Sequence, residues 1–153
     1  MRRYTRHVVM KEVVLVVEDD PANRLLIEAV LSRVGGFDVV GTDDGDEVLD
    51  VVRTRSLAAV LMDVSLKSTE VDGEKVDGVE LTRRIRELST GAHLPVILLT
   101  AHAMKGDRER LLFSSGANDY VSKPITDQVA FVSLVRTHIE SSGELRPDRG
   151  PLE

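Results

Sequence analysis

Val13-Val14-Leu15-Val16-Val17-Glu18-Asp19-Asp20 (VVLVVEDD) sets five aliphatic residues directly against three carboxylates. A short, wholly apolar run of this kind reads as a strand covered on both faces. Two unit charges about 4 Å apart repel by ~4 kcal/mol at an effective dielectric of about 20. Acids crowded at the edge of a core therefore need a cation, raised pKa values or an escape into solvent.

The same punctuation recurs along the chain. Short aliphatic runs at Val13–Glu18, Phe37–Thr42, Ala58–Asp63, Pro95–Thr100 and Asn118–Ser122 alternate with helix-length amphipathic segments. The first helix opens at Asp20-Pro21, a capping acid followed by proline at the first helical position. It continues with Leu25, Leu26, Ala29 and Val30 and closes at Gly35-Gly36. A second helix fits Gly45–Arg55, a third is marked by Leu81, Ile85 and Leu88, and a fourth covers about Lys105–Ser115. Val129, Val132, Val135 and Ile139 set the stripe of the last.

Five β-then-α units in succession predict an α/β fold: a doubly wound, five-stranded parallel sheet with right-handed crossovers and helices on both faces. Ligands of such sheets bind beyond the carboxyl ends of the strands. Glu18-Asp19 follow the first strand, Asp63 ends the third, Thr100 ends the fourth and Lys123-Pro124 follow the fifth. A parallel sheet brings three carboxylates, a hydroxyl and an ammonium to one edge.

Composition narrows the function classes. The chain has 153 residues, 42% hydrophobic and 30% charged, a globular balance for one domain. A net charge of −6 argues against unaided nucleic-acid binding, and no apolar run reaches the length of a membrane span. Without cysteine there is neither a disulfide framework nor a thiolate metal site. His7, His93, His102 and His138 lack metal-ligand spacing. A cytoplasmic location is the simplest expectation.

The stretches VVEDDPANRLL, AAVLMDVSL, VDGVEL, PVILLTAHAM and ANDYVSKPI occur in this order and at these elements. Together they resemble the receiver domain of two-component response regulators, from about Glu12 to Ile139. The resemblance implies a flavodoxin-like strand order, 2-1-3-4-5. It makes Asp63 a phosphoacceptor that takes a phosphoryl group from the phosphohistidine of a sensor kinase or phosphotransfer protein. Mg²⁺, with Mn²⁺ as an alternative, would be held by Glu18, Asp19, Asp63 and the backbone carbonyl of Ser65. Thr100 and Lys123 would contact phosphoryl oxygens, and Tyr120 would follow Thr100 inward on activation. Ser65 and His102 would tune the lifetime of the acyl phosphate, and the Lys123-Pro124 bond would be cis. Asp20 is left to cap the first helix, and Asp43, Asp44 and Asp46 to cap the second.

The chain departs from the family pattern after Asp63. Asp63-Val64-Ser65-Leu66-Lys67 lacks the usual Met-Pro, and the expected Asp-Gly comes late at Asp77-Gly78, with Asp72-Gly73 as a rival alignment. About residues 66–76 form an insertion, either a tolerated surface loop or an element that shapes partner choice or covers the metal. Residues 1–11 read as an extension, 12–141 as the receiver, and 142–153 as a mobile tail whose last two residues could be a cloning remnant.

The chain reads as a stand-alone, single-domain receiver with no effector domain expected after the last helix, so output is expected through contact with a downstream protein or through passing the phosphate on. Three rivals share the fold class. A receiver-like interaction module would lack the chemistry. An aspartyl phosphatase would need a second acid at Ser65, as D-x-D. A flavodoxin relative would need a phosphate-binding loop where EDDPAN stands.

Overall fold

The computed structural model describes residues 11–101 and 106–145. Its elements are β1 (Val13–Val17), α1 (Pro21–Arg33), β2 (Asp38–Thr42), α2 (Gly45–Thr54), β3 (Ala59–Asp63), β4 (Glu70–Val71), β5 (Glu74–Lys75), α3 (Gly78–Glu87), β6 (Val96–Thr100), α4 (Asp107–Ser115), β7 (Asp119–Ser122) and α5 (Gln128–Leu145). Five strands form one parallel sheet in the order β2-β1-β3-β6-β7. With β4 and β5 set aside as a separate hairpin, this is the expected order 2-1-3-4-5.

Strand residues alternate between two cores, as a period of two requires. Val14, Val16, Leu61, Ile97 and Leu99 pack under α1 and α5 with Ile27, Leu31, Phe131 and Val135. Leu15, Val17, Val60, Met62 and Leu98 pack on the other face with Val48 and Val52 of α2 and Leu81 and Ile85 of α3. β1, β3 and β6 are therefore covered on both sides, which explains why their sequences show no polar alternation.

The helix starts follow the capping acids. Asp20 accepts the amides of Ala22 (3.0 Å) and Asn23 (3.5 Å), with Pro21 opening α1. Asp44 accepts those of Asp46 and Glu47 at α2, and Asp77 that of Glu80 at α3.

The structure settles one helix face and corrects two sequence readings. In α1 the inward face is Ile27, Val30 and Leu31, while Leu25 and Leu26 are exposed. Positions 27, 30 and 31 make one helical stripe, and 25 and 26 fall outside it. Val129 is likewise exposed at the start of α5, where Phe131 and Val132 take the inward positions. Residues 142–145, read as the start of the tail, instead continue α5 to Leu145, and the Ser142 hydroxyl donates to the His93 carbonyl at 2.9 Å; the rest of that tail and residues 1–10 lie outside the described residues.

The insertion is an ordered hairpin. Glu70 pairs with Lys75 and Val71 with Glu74. Asp72 and Gly73 both have positive φ, 50° and 80°, the signature of a type I′ turn that favours Asp-Gly. Asp72-Gly73 is thus the hairpin turn, and Asp77-Gly78 is the pair that starts α3. At Gly78 a Cβ would lie 2.0 Å from the Asp63 carbonyl oxygen, so only glycine lets α3 begin against the end of β3.

Candidate metal and acceptor site

The carboxyl ends of β1 and β3 bring the sequence-marked acids together. Glu18 and Asp63 are buried and Asp19 is half-buried, and one carboxylate oxygen from each lies within 4.8 Å of the others. Lys123 follows β7 and reaches across the sheet edge. Its Nζ donates to Asp63 Oδ1 at 3.1 Å and to Glu18 Oε1 at 3.2 Å. The Ser65 amide also donates to Asp63 Oδ1, at 3.2 Å. The Lys123–Pro124 peptide bond is cis, as the resemblance implied.

Two carboxylates buried beside one ammonium are electrostatically incomplete. Burial, then hydrogen bonding and repulsion from Asp63, push the Glu18 carboxyl up to about 7, with Lys123 pulling partly the other way. For Lys123, burial favours the neutral amine, but its bonds and attraction to Asp63 and Glu18 outweigh this and raise it above its ordinary range.

Thr100 ends β6 in a buried position. It lies one residue beyond Leu99, the partner of Asp63 in the neighbouring strand, and its carbonyl accepts the Lys123 amide at 2.7 Å. Tyr120 sits on β7, half-buried against the α2–α3 face of the sheet. The Arg108 guanidinium of α4 stands 5.8 Å from its ring centre. Ser65 is exposed, and His102 lies outside the described residues.

Two sets of contacts have no local signal in the sequence. Arg24 of α1 donates to the Glu18 carbonyl at 2.9 Å. Asp19 Oδ2 accepts the amides of Lys67 (2.5 Å) and Ser68 (3.1 Å), nearly fifty positions along the chain. Only folding brings these partners into range.

The donor set suits a small hard dication. Such an ion takes oxygen ligands and is commonly held by one or two carboxylates together with water and phosphate. Here three carboxylates face one ammonium, and the raised Glu18 carboxyl records the charge that a cation would relieve.

An α/β sheet of this order with acids, a threonine and a lysine at its carboxyl edge is receiver-like. The profile of the response regulator receiver domain matches residues 14–135, and the chain belongs to this family. It is 32% identical, over 85% of its own length and 98% of the relative's, to the polar-differentiation response regulator DivK of Brucella anthropi. It is also 38% identical, over 82% of its length, to hybrid signal transduction histidine kinase I of Dictyostelium discoideum. The chain spans only 7% of that kinase and 14% of the sensor histidine kinase GacS of Pseudomonas protegens.

Among solved structures it resembles the receiver domain of sensor histidine kinase PA1611 from Pseudomonas aeruginosa, which holds a magnesium ion in its active-site cleft. The identity is 34%, the TM-score is 0.72, and the match covers 86% of this chain and 99% of that one. Among the described residues, no helix is long and apolar enough to cross a membrane.

Proposed function

We propose that this receiver takes a phosphoryl group from a phosphohistidine onto Asp63 and uses it to reset a protein-binding surface. The observation that carries this reading is the position of Asp63, buried at the end of β3 beside Glu18 and Asp19 with Lys123 at 3.1 Å.

The hydrogen bonds from Ser65 and Lys123 both end on Oδ1, so Oδ2 is assigned as the nucleophile. It forms a bond to phosphorus as the P–N bond breaks and the donor imidazole leaves with the electron pair. Lys123, already held at the acceptor, pairs with a phosphoryl oxygen, and the Thr100 hydroxyl donates to another. Glu18, Asp19, Asp63 and the Ser65 carbonyl would hold Mg²⁺, which when bound supplies positive charge against the anionic donor. Leu25 and Leu26, exposed on α1 soon after the acids, offer an apolar footing to the donor protein, a histidine kinase or phosphotransfer protein.

Output is assigned to the surface of α4, β7 and α5. Arg108 of α4 and His138 of α5 both bond to Asp119 of β7, at 2.8 and 2.9 Å, and Arg108 also lies over Tyr120. A Tyr120 ring that moves inward with Thr100 would leave Arg108 without its face. The charge added at Asp63 would thereby alter a contact surface for a downstream protein.

Intact mass after incubation with Mg²⁺ and acetyl phosphate tests the reading. The wild-type chain gains one phosphoryl group and Asp63→Asn gains none. An unmodified wild-type chain would leave a receiver-like interaction module without the chemistry.

A further inference from the structure

The hairpin that departs from the family pattern is tied to the candidate site at one end and to α2 at the other. At the first end, the backbone amides of Lys67 and Ser68 converge on Asp19 Oδ2 at 2.5 and 3.1 Å, with the Ser68 hydroxyl at 3.5 Å. At the other end, the side chain of Val71 is buried in the α2–α3 core, together with Leu66 and Val76. The Asp72 amide donates to the Asp46 carboxylate of α2 at 3.1 Å. Contact with α2 is tight: a Cβ on Gly45 would lie 2.4 Å from the Glu70 carbonyl oxygen and 2.6 Å from Val71 Cγ2.

A half-buried aspartate at the end of a strand would otherwise sample several rotamers. Two amides on one oxygen fix the carboxylate plane and leave Oδ1 for a cation. Groups that orient a metal ligand are commonly worth tenfold or more in affinity.

We propose that residues 66–76 are a built-in clasp that positions Asp19 for the divalent cation, held in place by docking of the hairpin on α2. The proposal rests on reading Glu18, Asp19 and Asp63 as a cation site. It makes Lys67 and Ser68 positioning residues that act through their backbone, and Gly45 a remote part of the same device.

Mg²⁺ titration by calorimetry on the wild type, Lys67→Pro and Gly45→Ala tests it. Proline removes the amide donor, whereas the nearest atoms an alanine Cβ at Gly45 would meet all belong to the hairpin, and alanine suits a helix start. Both variants are expected to bind Mg²⁺ about tenfold more weakly. The Lys67 and Ser68 amides should exchange hydrogen faster in Gly45→Ala. Acetyl-phosphate labelling of both variants should recover the wild-type rate at saturating Mg²⁺, a split that general loss of structure would not produce. Wild-type affinity in Gly45→Ala despite faster exchange, or tighter binding in either variant, would overturn the clasp while leaving the cation site intact. No Mg²⁺ uptake by the wild type would instead remove the cation site, and the clasp with it.

Discussion

Lys123 Nζ sits 3.1 Å from Asp63 Oδ1 across the sheet edge, and the same ammonium lies 3.2 Å from Glu18. Among the described residues, this ammonium is the side-chain counter-charge bonded to the two buried carboxylates. Removing one partner of such a cluster leaves the others buried without compensation. Lys123→Ala is therefore expected to destabilise the metal-free chain by about 2 kcal/mol at pH 8. The loss should shrink below pH 7, where Glu18 can take up a proton, and Mg²⁺ should restore much of it. Thermal unfolding with and without Mg²⁺ measures this; an unchanged midpoint in the metal-free variant would contradict the counter-charge role.

The raised Glu18 carboxyl predicts a pH dependence of known sign. Its pKa moves from 4.5 to about 7 on folding, so the folded chain holds this proton where the unfolded chain has lost it. The group's contribution to stability is full below pH 4.5 and is lost as pH rises through about 7. A cation must displace the same proton. Mg²⁺ affinity is expected to fall about tenfold per pH unit below pH 7 and to level off above pH 8. Calorimetry in buffers of different ionisation enthalpy should count close to one released proton at pH 6. A flat affinity between pH 5.5 and 8 would exclude Glu18 as a coupled ligand.

Gly78 should not tolerate a side chain. An added Cβ would meet the Asp63 carbonyl oxygen at 2.0 Å and Val64 Cα at 2.9 Å, both backbone atoms that cannot swing aside. Gly78→Ala is expected to cost roughly 1–3 kcal/mol in urea unfolding. It should also slow acetyl-phosphate labelling, because the end of β3 shifts with α3.

Arg86 offers the contrasting case of a residue that holds the fold without touching the site. Its guanidinium donates to the carbonyls of Gly91 (2.7 Å), Leu94 (2.6 Å) and Gly116 (2.8 Å), and to the Asn118 side chain (2.8 Å). Asn118 in turn accepts the Val96 amide at 2.8 Å, joining the starts of β6 and β7. Arg86→Ala should lower stability by about 2 kcal/mol through these orphaned acceptors. Mg²⁺ affinity should stay within about twofold of wild type, since these contacts lie at the opposite end of the strands from Asp63. A large change in affinity would show that the two edges of the sheet are coupled.

The sequence by itself determined the order of the five sheet strands and their helices and which polar residues meet at the carboxyl edge. Apolar runs closed by acids, capping aspartates and the Asp20-Pro21 start are local signals, and short β-α connections leave a parallel sheet as the economical outcome. Glu18, Asp19, Asp63, Thr100 and Lys123 could be named because a parallel sheet sends every strand end to one edge. Tertiary structure decided what position along the chain cannot encode. It selected Asp77-Gly78 over Asp72-Gly73 for the start of α3, turned Leu25 and Leu26 outward, and made the insertion a docked hairpin. It also set the Glu18 carboxyl near 7 and brought the Lys67 and Ser68 amides to Asp19. The reason is physical: periodicity and capping act within a few residues. Desolvation, charge pairing and amide donation depend on distance in space, here between groups 48 to 105 positions apart.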